Sequence, residues 1–461
     1  MIPEHAIKEM EQIVGPSFLI RDPAGLEPYG ADATKLSHRP DAVVIPCSAQ
    51  EISRLMLLAN RVEFPVIPRG AGSGMSGGAV PVEGGVVISL ERMNRILEID
   101  PDNMVAKVEP GVITADLQQE VERFGLFYPP DPASIKISTI GGNVAECAGG
   151  LRAVKYGVTR DYVLGLQAVL PTGEILNTGV QTMKGVAGYD LTRLLVGSEG
   201  TLAIITQIIL KLLPRPESKM TILAMFSHVE VAVKAVSYMI RSKVIPAVVE
   251  LIDSRCIECL KDEIELSVPP HTGALLLIEV DGHRDAVKRE ASRVERVLKK
   301  WGALQIQIAK GEKEAQVLWE GRRNLSPSLY KLRPHKISQD VVVPRSKMPA
   351  LINFLGALEQ EYGLPIPAFG HAGDGNIHVN VMLDKERPKE LEKAKKIIEL
   401  VFKRVIELGG TITGEHGIGM TKRKYLEMEI APEAVNLMAR IKRAFDPKGI
   451  LNPGKVLPQR I

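Results

Sequence analysis

The ten residues Arg69-Gly70-Ala71-Gly72-Ser73-Gly74-Met75-Ser76-Gly77-Gly78 constrain this chain more than any others. Six of the ten carry nothing beyond a hydrogen or a methyl group. Such a stretch suits neither a helix nor a sheet interior, but its successive backbone N–H groups can close on a pyrophosphate. Gly72 to Gly77 also fits the dinucleotide pattern G-x-G-x-x-G, which requires a helix to follow. Pro81, Gly84 and Gly85 follow instead. The context therefore excludes a Rossmann turn and leaves two readings of this segment taken alone: a phosphate cradle of another type, or a glycine-rich surface loop.

The flanking text is alternating. Pro3 to Val14 places Ile7, Met10 and Val14 on one helical face, with Gly15-Pro16 as a stop. Ala42 to Ile45 and Pro65 to Pro68 read as strands and Ala49 to Arg61 as an amphipathic helix between them, which predicts parallel pairing through a helical crossover. Val163 to Ile175, with Pro171-Thr172-Gly173-Glu174, reads as a strand, a tight turn and a returning strand. The prolines of Leu213-Pro214-Arg215-Pro216 mark a boundary. Beyond it, strand-like runs (Thr221 to Met225, Ala274 to Val280, Leu304 to Ile308) alternate with charged helices such as Asp285 to Trp301, the pattern of an antiparallel α+β domain.

Composition narrows the partners. The 58 basic residues nearly cancel the 55 acidic ones, leaving +3, without the concentrated positive face that nucleic acid binding requires. The most apolar run, Thr201 to Leu213, is broken by Thr206, Gln207 and Lys211 and falls short of the roughly 20 residues of a membrane-spanning helix. The first ten residues lack the basic-then-apolar order of a secretory signal, so a cytoplasmic location is expected, at most peripheral to the inner face of the membrane. Cys47, Cys147, Cys256 and Cys259 are too few and scattered for a disulfide framework, a structural zinc or an iron–sulfur cluster.

Two more segments accompany the glycine loop: Tyr128-Pro129-Pro130-Asp131-Pro132 leading into Ser138-Thr139-Ile140-Gly141-Gly142-Asn143, and Gly197-Ser198-Glu199-Gly200-Thr201-Leu202. Together and in this order, from Pro40 to Pro214, they resemble the FAD-binding domain of the vanillyl-alcohol oxidase and p-cresol methylhydroxylase superfamily. The resemblance implies that Arg69, Gly70, Ala71, Gly72 and Ser73 hold the pyrophosphate. Pro130, Asp131, Ser134, Thr139, Gly142 and Asn143 would lie along the cofactor, and Glu199, Gly200 and Ile204 near its adenosine end. Relatives that attach flavin covalently often do so through a histidine in the first loop; Ser73 stands there, so FAD is expected to be bound non-covalently. Ala203 replaces the family's usual glycine after Thr-Leu.

The second half carries a different set. Gly370-His371-Ala372-Gly373-Asp374-Gly375-Asn376-Ile377-His378 is too rich in glycine for a helix and reads as a loop entering a strand, with His378 and Asn380 on its non-core face. Gly414-Glu415-His416-Gly417 adds a carboxylate and an imidazole. His371, His378 and Glu415 form an ordinary ligand set for a divalent zinc, manganese or iron ion, while the two histidines taken alone fit hydrogen-bonded core positions equally well. With these residues the resemblance extends from Pro40 to about Leu457, to the FAD-linked dehydrogenases of D-lactate, glycolate and D-2-hydroxyglutarate. It includes Asn452-Pro453-Gly454-Lys455, which in relatives folds back toward the flavin, placing Asn452 near the cofactor. Leu318-Trp319-Glu320-Gly321-Arg322 resembles the segment bearing a carboxylate-binding arginine; Ser326 follows one turn later and Lys336 precedes the strand Asp340 to Val343. Arg323 is the alternative to Arg322, and a solvated basic face is the alternative to a site.

The expectation is an α+β chain: an N-terminal helical segment (1–37), a two-part FAD-binding domain of the vanillyl-alcohol oxidase type (38–217) and a C-terminal antiparallel α+β substrate, or cap, domain (218–457). The implied activity is oxidation of a small D-2-hydroxy acid, D-lactate or glycolate, by hydride transfer to flavin N5. His416 would be the base, the metal site would polarise the hydroxyl, Arg322 and Lys336 would hold the carboxylate, and Ser326 and Asn380 would complete the site. Electrons would leave to a separate iron–sulfur or electron-transferring flavoprotein subunit, to a quinone or to oxygen. Competing readings are an electron-relay flavoprotein subunit, a D-2-hydroxyglutarate dehydrogenase, and a non-redox flavin transferase of the ether-lipid synthase kind.

Overall fold

The computed structural model describes residues 2–260 and 268–458, which pack as two compact units. The first comprises residues 2–150, 157–215 and 415–458, the second 151–156, 216–260 and 268–414.

In the first unit, one sheet runs in the order Leu19–Ile20, Ala42–Val44, Val86–Ser89, Val66–Arg69, the first pair antiparallel and the rest parallel. The expected parallel crossover is present, but Val86–Ser89 inserts between the two strands read from the sequence. The crossover helix Ala49–Val62 starts where Ser48 Oγ accepts from the Glu51 N–H at 3.2 Å, an ordinary N-cap. It buries Ile52, Leu55, Met56 and Ala59 against Met10, Ile13 and Val14 of the helix Glu4–Val14. Each of the larger side chains contributes roughly 1.5–3 kcal/mol on burial, so the N-terminal helix is part of this core. A second, antiparallel sheet has the order Ile96–Asp100, Val105–Val108, Ile204–Lys211, Val163–Val169, Ile175–Gly179.

The C-terminal residues 415–458 return to this unit. The Val66 N–H donates to the Ile450 carbonyl at 2.8 Å and the Asn452 N–H to the Val66 carbonyl at 2.7 Å, extending the first sheet's edge. Thus the packing boundary falls at Gly414, whereas the sequence reading carried the second domain to 457. Residues 151–156 move the other way. Lys155 Nζ pairs with Asp281 at 2.5 Å, Tyr156 donates to the same carboxylate at 2.8 Å, and Val154 lies against Gly373.

The second unit is built on an antiparallel sheet in the order Gln305–Ile308, Ser218–Phe226, Ala274–Gly282, Val248–Asp253, Ala368–His371, Asn376–Leu383, His335–Val342. The helices Val229–Arg241, Arg284–Lys300, Glu312–Ser328, Met348–Tyr362 and Pro388–Glu407 accompany it. Among the described residues, no helix is long and apolar enough to cross a membrane.

Three local expectations change. Gly370 and His371 end a strand, Ala368–His371, so the stretch is a hairpin whose turn is only residues 372–375. Glycine there serves a close approach between strands: a Cβ on Gly370 would strike the Asn376 carbonyl. Lys336 lies inside its strand, not ahead of it. Asn380 shares a face with His378 as expected, but that face is covered and Asn380 is only 1% exposed.

Candidate active site

In the first unit a cavity is walled by the loop Arg69 to Gly74, by Pro132 to Ser134, Thr139, Gly142, Asn143 and Glu146, by Glu199, Gly200 and Ile204, and by Glu415 and His416. Hydrogen bonds hold the walls. Thr139 Oγ1 accepts from the Gly142 N–H at 3.2 Å and caps the helix Ile140–Glu146; Asn143 Nδ2 donates to Thr114 Oγ1 at 2.7 Å. Gly72 has φ +65°, and a Cβ on it would run into the Arg69 guanidinium, so glycine is required there. The loop therefore presents bare backbone to the cavity, the geometry suited to a flat cofactor with a pyrophosphate, and these residues fit FAD.

Several expected contacts are indirect. The Arg69 guanidinium donates to the carbonyls of Ala31 (2.8 Å) and Pro28 (3.0 Å) and lies over Tyr29, so it pins the loop to the N-terminal segment. Pro130 and Asp131 do not line the wall; Gln118 Nε2 holds the Pro130 carbonyl at 2.9 Å, and the lining begins at Pro132. Asn452 is also behind the wall. Its amide nitrogen donates to the carbonyls of Gly78 (3.0 Å) and Glu199 (2.9 Å), tying two lining segments together. Glu199, buried with φ +53°, accepts from the N–H groups of Ile418 (2.8 Å) and Gly419 (2.6 Å). Burial raises its carboxyl's pKa, partly opposed by those two amides and by Lys422 and Lys455.

In the second unit the strand register gathers the remaining residues on one sheet face. Side chains directly opposite each other across paired strands share a face, as do residues two apart along one strand. Glu250 stands opposite His371, Phe369 opposite His378, Asp340 opposite His378, Ser338 opposite Asn380 and Lys336 opposite Met382. Lys336, Asp340, His371, His378, Asn380 and Glu250 consequently line one surface, on which the helix Glu312–Ser328 lies.

That helix supplies Arg322 and Ser326. Arg322 Nε donates to Glu250 Oε2 at 2.6 Å, and its guanidinium stacks 4.6 Å from the Phe369 ring; Arg323, the alternative, is exposed. Lys336 Nζ donates to Ser326 Oγ at 2.5 Å. Glu250 Oε1 meets Nδ1 of His371. Burial opposes ionisation of Glu250, but His371 and Arg322 outweigh it and hold the carboxyl down at about 2. The sequence reading missed Glu250; its one signal was a lone acid within the apolar run Val248-Val249-Glu250-Leu251-Ile252.

The His371 and His378 rings are perpendicular with centroids 5.2 Å apart, and a ring nitrogen of each lies within 4.8 Å of one on the other. Glu415 directly follows Gly414, whose N–H donates to Asp340 Oδ2 at 2.9 Å and whose missing side chain leaves room for Asn376. Two imidazoles and a carboxylate fit a divalent zinc, manganese or iron ion by donor type.

Residues 215–456 match the family described as FAD linked oxidases, C-terminal domain, and residues 40–179 match the FAD binding domain. The glycolate oxidase subunit GlcD of Bacillus subtilis (strain 168) is 45% identical over 457 residues, covering 99% of this chain and 97% of the relative. A D-lactate dehydrogenase of Archaeoglobus fulgidus is 40% identical over 418 residues, 90% and 91% of the two chains. Among solved structures, p-cresol methylhydroxylase with substrate bound aligns with TM-score 0.81 at 19% identity, over 99% of this chain and 97% of that one. That last likeness establishes the vanillyl-alcohol oxidase type of fold.

Proposed function

Because this chain belongs to the FAD-linked oxidases, we propose that it oxidises a small D-2-hydroxy acid, D-lactate or glycolate, to the 2-oxo acid. FAD, when bound, supplies the hydride acceptor, and a divalent ion supplies the Lewis acidity that eases loss of the hydroxyl proton. The chain's own residues do the rest. The backbone of Gly70 to Ser73 would hold the pyrophosphate, and the other lining residues would seat the cofactor, non-covalently since Ser73 offers no tethering imidazole. His371, His378 and Glu415 would hold zinc, manganese or iron. Arg322 would grip the substrate carboxylate with its planar fork, Lys336 would add a point charge steadied by Ser326, and Asn380 would support His378 from the same strand. His416 would accept the hydroxyl proton.

The observation that carries this reading is the sheet face in the second unit, where His371, the proposed metal ligand, and Arg322, the proposed grip on the substrate carboxylate, both engage the carboxylate of Glu250. A 2-hydroxy acid has its hydroxyl and carboxylate on adjacent carbons and needs those two grips side by side. An electron relay or a flavin transferase has no use for the pair. Electrons would pass to a separate acceptor, with an iron–sulfur or electron-transferring flavoprotein subunit suggested by the word subunit in the name of the Bacillus relative.

The test is an anaerobic stopped-flow panel of D-lactate, L-lactate, glycolate and D-2-hydroxyglutarate. Rapid bleaching of the flavin by D-lactate or glycolate is expected. Fastest bleaching by D-2-hydroxyglutarate would move the assignment to that substrate, and none by any of the four would sink it. Acid precipitation of the yellow protein should release all its FAD.

A further inference from the structure

We propose that Glu250 is a positioning residue that locks the metal ligand His371 and the carboxylate-binding Arg322 into one rigid unit, an inference that rests on the function proposed above. Glu250 is wholly buried, and its two oxygens serve different partners: Oε1 meets Nδ1 of His371, and Oε2 accepts from Nε of Arg322 at 2.6 Å. The first pairing is dictated by the backbone, since Glu250 and His371 stand opposite each other on adjacent antiparallel strands. The second arrives from the helix Glu312–Ser328 above that face.

Each contact has a chemical consequence. A carboxylate only accepts, so the His371 nitrogen it meets must carry the proton, leaving Nε2 with its lone pair for a metal. Ligating histidines are commonly oriented this way by an acceptor on the other nitrogen. At the arginine, engaging Nε–H and stacking the guanidinium 4.6 Å from the Phe369 ring fix the plane of the fork and keep the two terminal NH2 groups for a second carboxylate. One side chain therefore sets the distance between the grip on the hydroxyl and the grip on the carboxylate.

Glutamine cannot substitute, although it has the same shape. If its oxygen accepts from Arg322, its NH2 group faces Nδ1 of His371, which must then surrender its proton; the proton moves to Nε2 and blocks the ligating position. If the amide turns over, NH2 opposes the Arg322 N–H. Either orientation disrupts one arm.

FAD-loaded wild-type protein and the Glu250→Gln and His371→Ala variants are compared for Zn2+ affinity, by competition with a chromophoric chelator. Pyruvate affinity is read from the spectrum of the oxidised flavin at saturating Zn2+. Glu250→Gln should weaken Zn2+ binding roughly 10–100-fold and weaken pyruvate binding as well, with FAD content and dithionite reduction unchanged. Nitrogen NMR of ring-labelled histidine, with the His371 signal assigned by its loss in His371→Ala, should show His371 as the Nδ1–H tautomer in metal-free wild-type protein. That measurement decides the matter even if the glutamine variant fails to fold. Zn2+ affinity within twofold of wild type in Glu250→Gln, where His371→Ala has lost it, overturns this proposal and leaves the proposed function standing; so does an Nε2–H tautomer in the wild type. Wild-type protein that takes up no Zn2+, Mn2+ or Fe2+ while its flavin is still bleached by substrate removes the metal assignment and this proposal together.

Discussion

Lys442 tests how the C-terminal segment supports the cofactor unit. Near the end of the helix Pro432–Phe445, its Nζ donates to the carbonyls of Thr201 and Leu451, both at 2.8 Å, and pairs with Asp446 at 2.5 Å. Asp446 is fully buried as a side chain and also accepts from the N–H groups of Ile450 (3.1 Å) and Leu451 (2.8 Å). Burial lowers the lysine's pKa, against the pull of Asp446, so the charged form is held only by these partners. Lys442→Met keeps the apolar stem but leaves a buried carboxylate without its cation and two carbonyls without a donor. Removing one partner of a buried pair costs about 3–5 kcal/mol, most of it the desolvation of what remains. The assay is urea unfolding at pH 7.5 followed by circular dichroism, with FAD retention measured on gel filtration. Because Thr201 and Leu451 flank Glu199 and Asn452, the variant should lose FAD along with stability. Adding Asp446→Asn should cost much less on the Lys442→Met background than on the wild type. A single-variant loss under about 0.5 kcal/mol, the range of a neutral surface change, or strictly additive effects, would refute the reasoning.

Three further outcomes are expected. Gly414→Ala should lower metal content and substrate-driven flavin reduction while FAD stays bound, because a Cβ there collides with the buried Asn376 amide and displaces Glu415; unchanged metal content by mass spectrometry would contradict this. His416→Ala should slow anaerobic flavin reduction by roughly 10²–10⁴-fold, the usual worth of a positioned base, and a rate within threefold of wild type would remove His416 from that role. Lys455, whose pKa is pushed down to about 8 chiefly by burial, takes up its proton less readily folded than unfolded. Wild-type stability should therefore rise between pH 8 and 10.5 by up to about 3 kcal/mol relative to Lys455→Met, as the unfolded chain binds the extra proton. A gap between the two that is flat or reversed in urea midpoints at pH 7.5 and 9.5 would count against a lysine whose pKa is lowered by burial.

Much of the site was legible as residue types in local patterns. A glycine run with no helix after it excluded a Rossmann turn and left a bare-backbone cradle as one of two readings, because the requirement for bare backbone is local. Alternation in Asn376–Leu383 put His378 and Asn380 on one face because the pleat has period two. What the chain order could not reveal was who stands opposite whom. Glu250 meets His371 across strands more than a hundred residues apart, and Arg322 descends on them from a helix in between, so their triad exists only once the register is set. Likewise Arg69 and Asn452 have the polar groups of cofactor ligands, yet the fold employs both side chains on backbone carbonyls, Asn452 from behind the wall, and Pro130 and Asp131 stop short of it. Side-chain chemistry and backbone periodicity are properties of short segments and survive in the sequence. Strand pairing, and the choice of partner for each buried polar group, are settled only when distant segments compete for the same neighbours during packing.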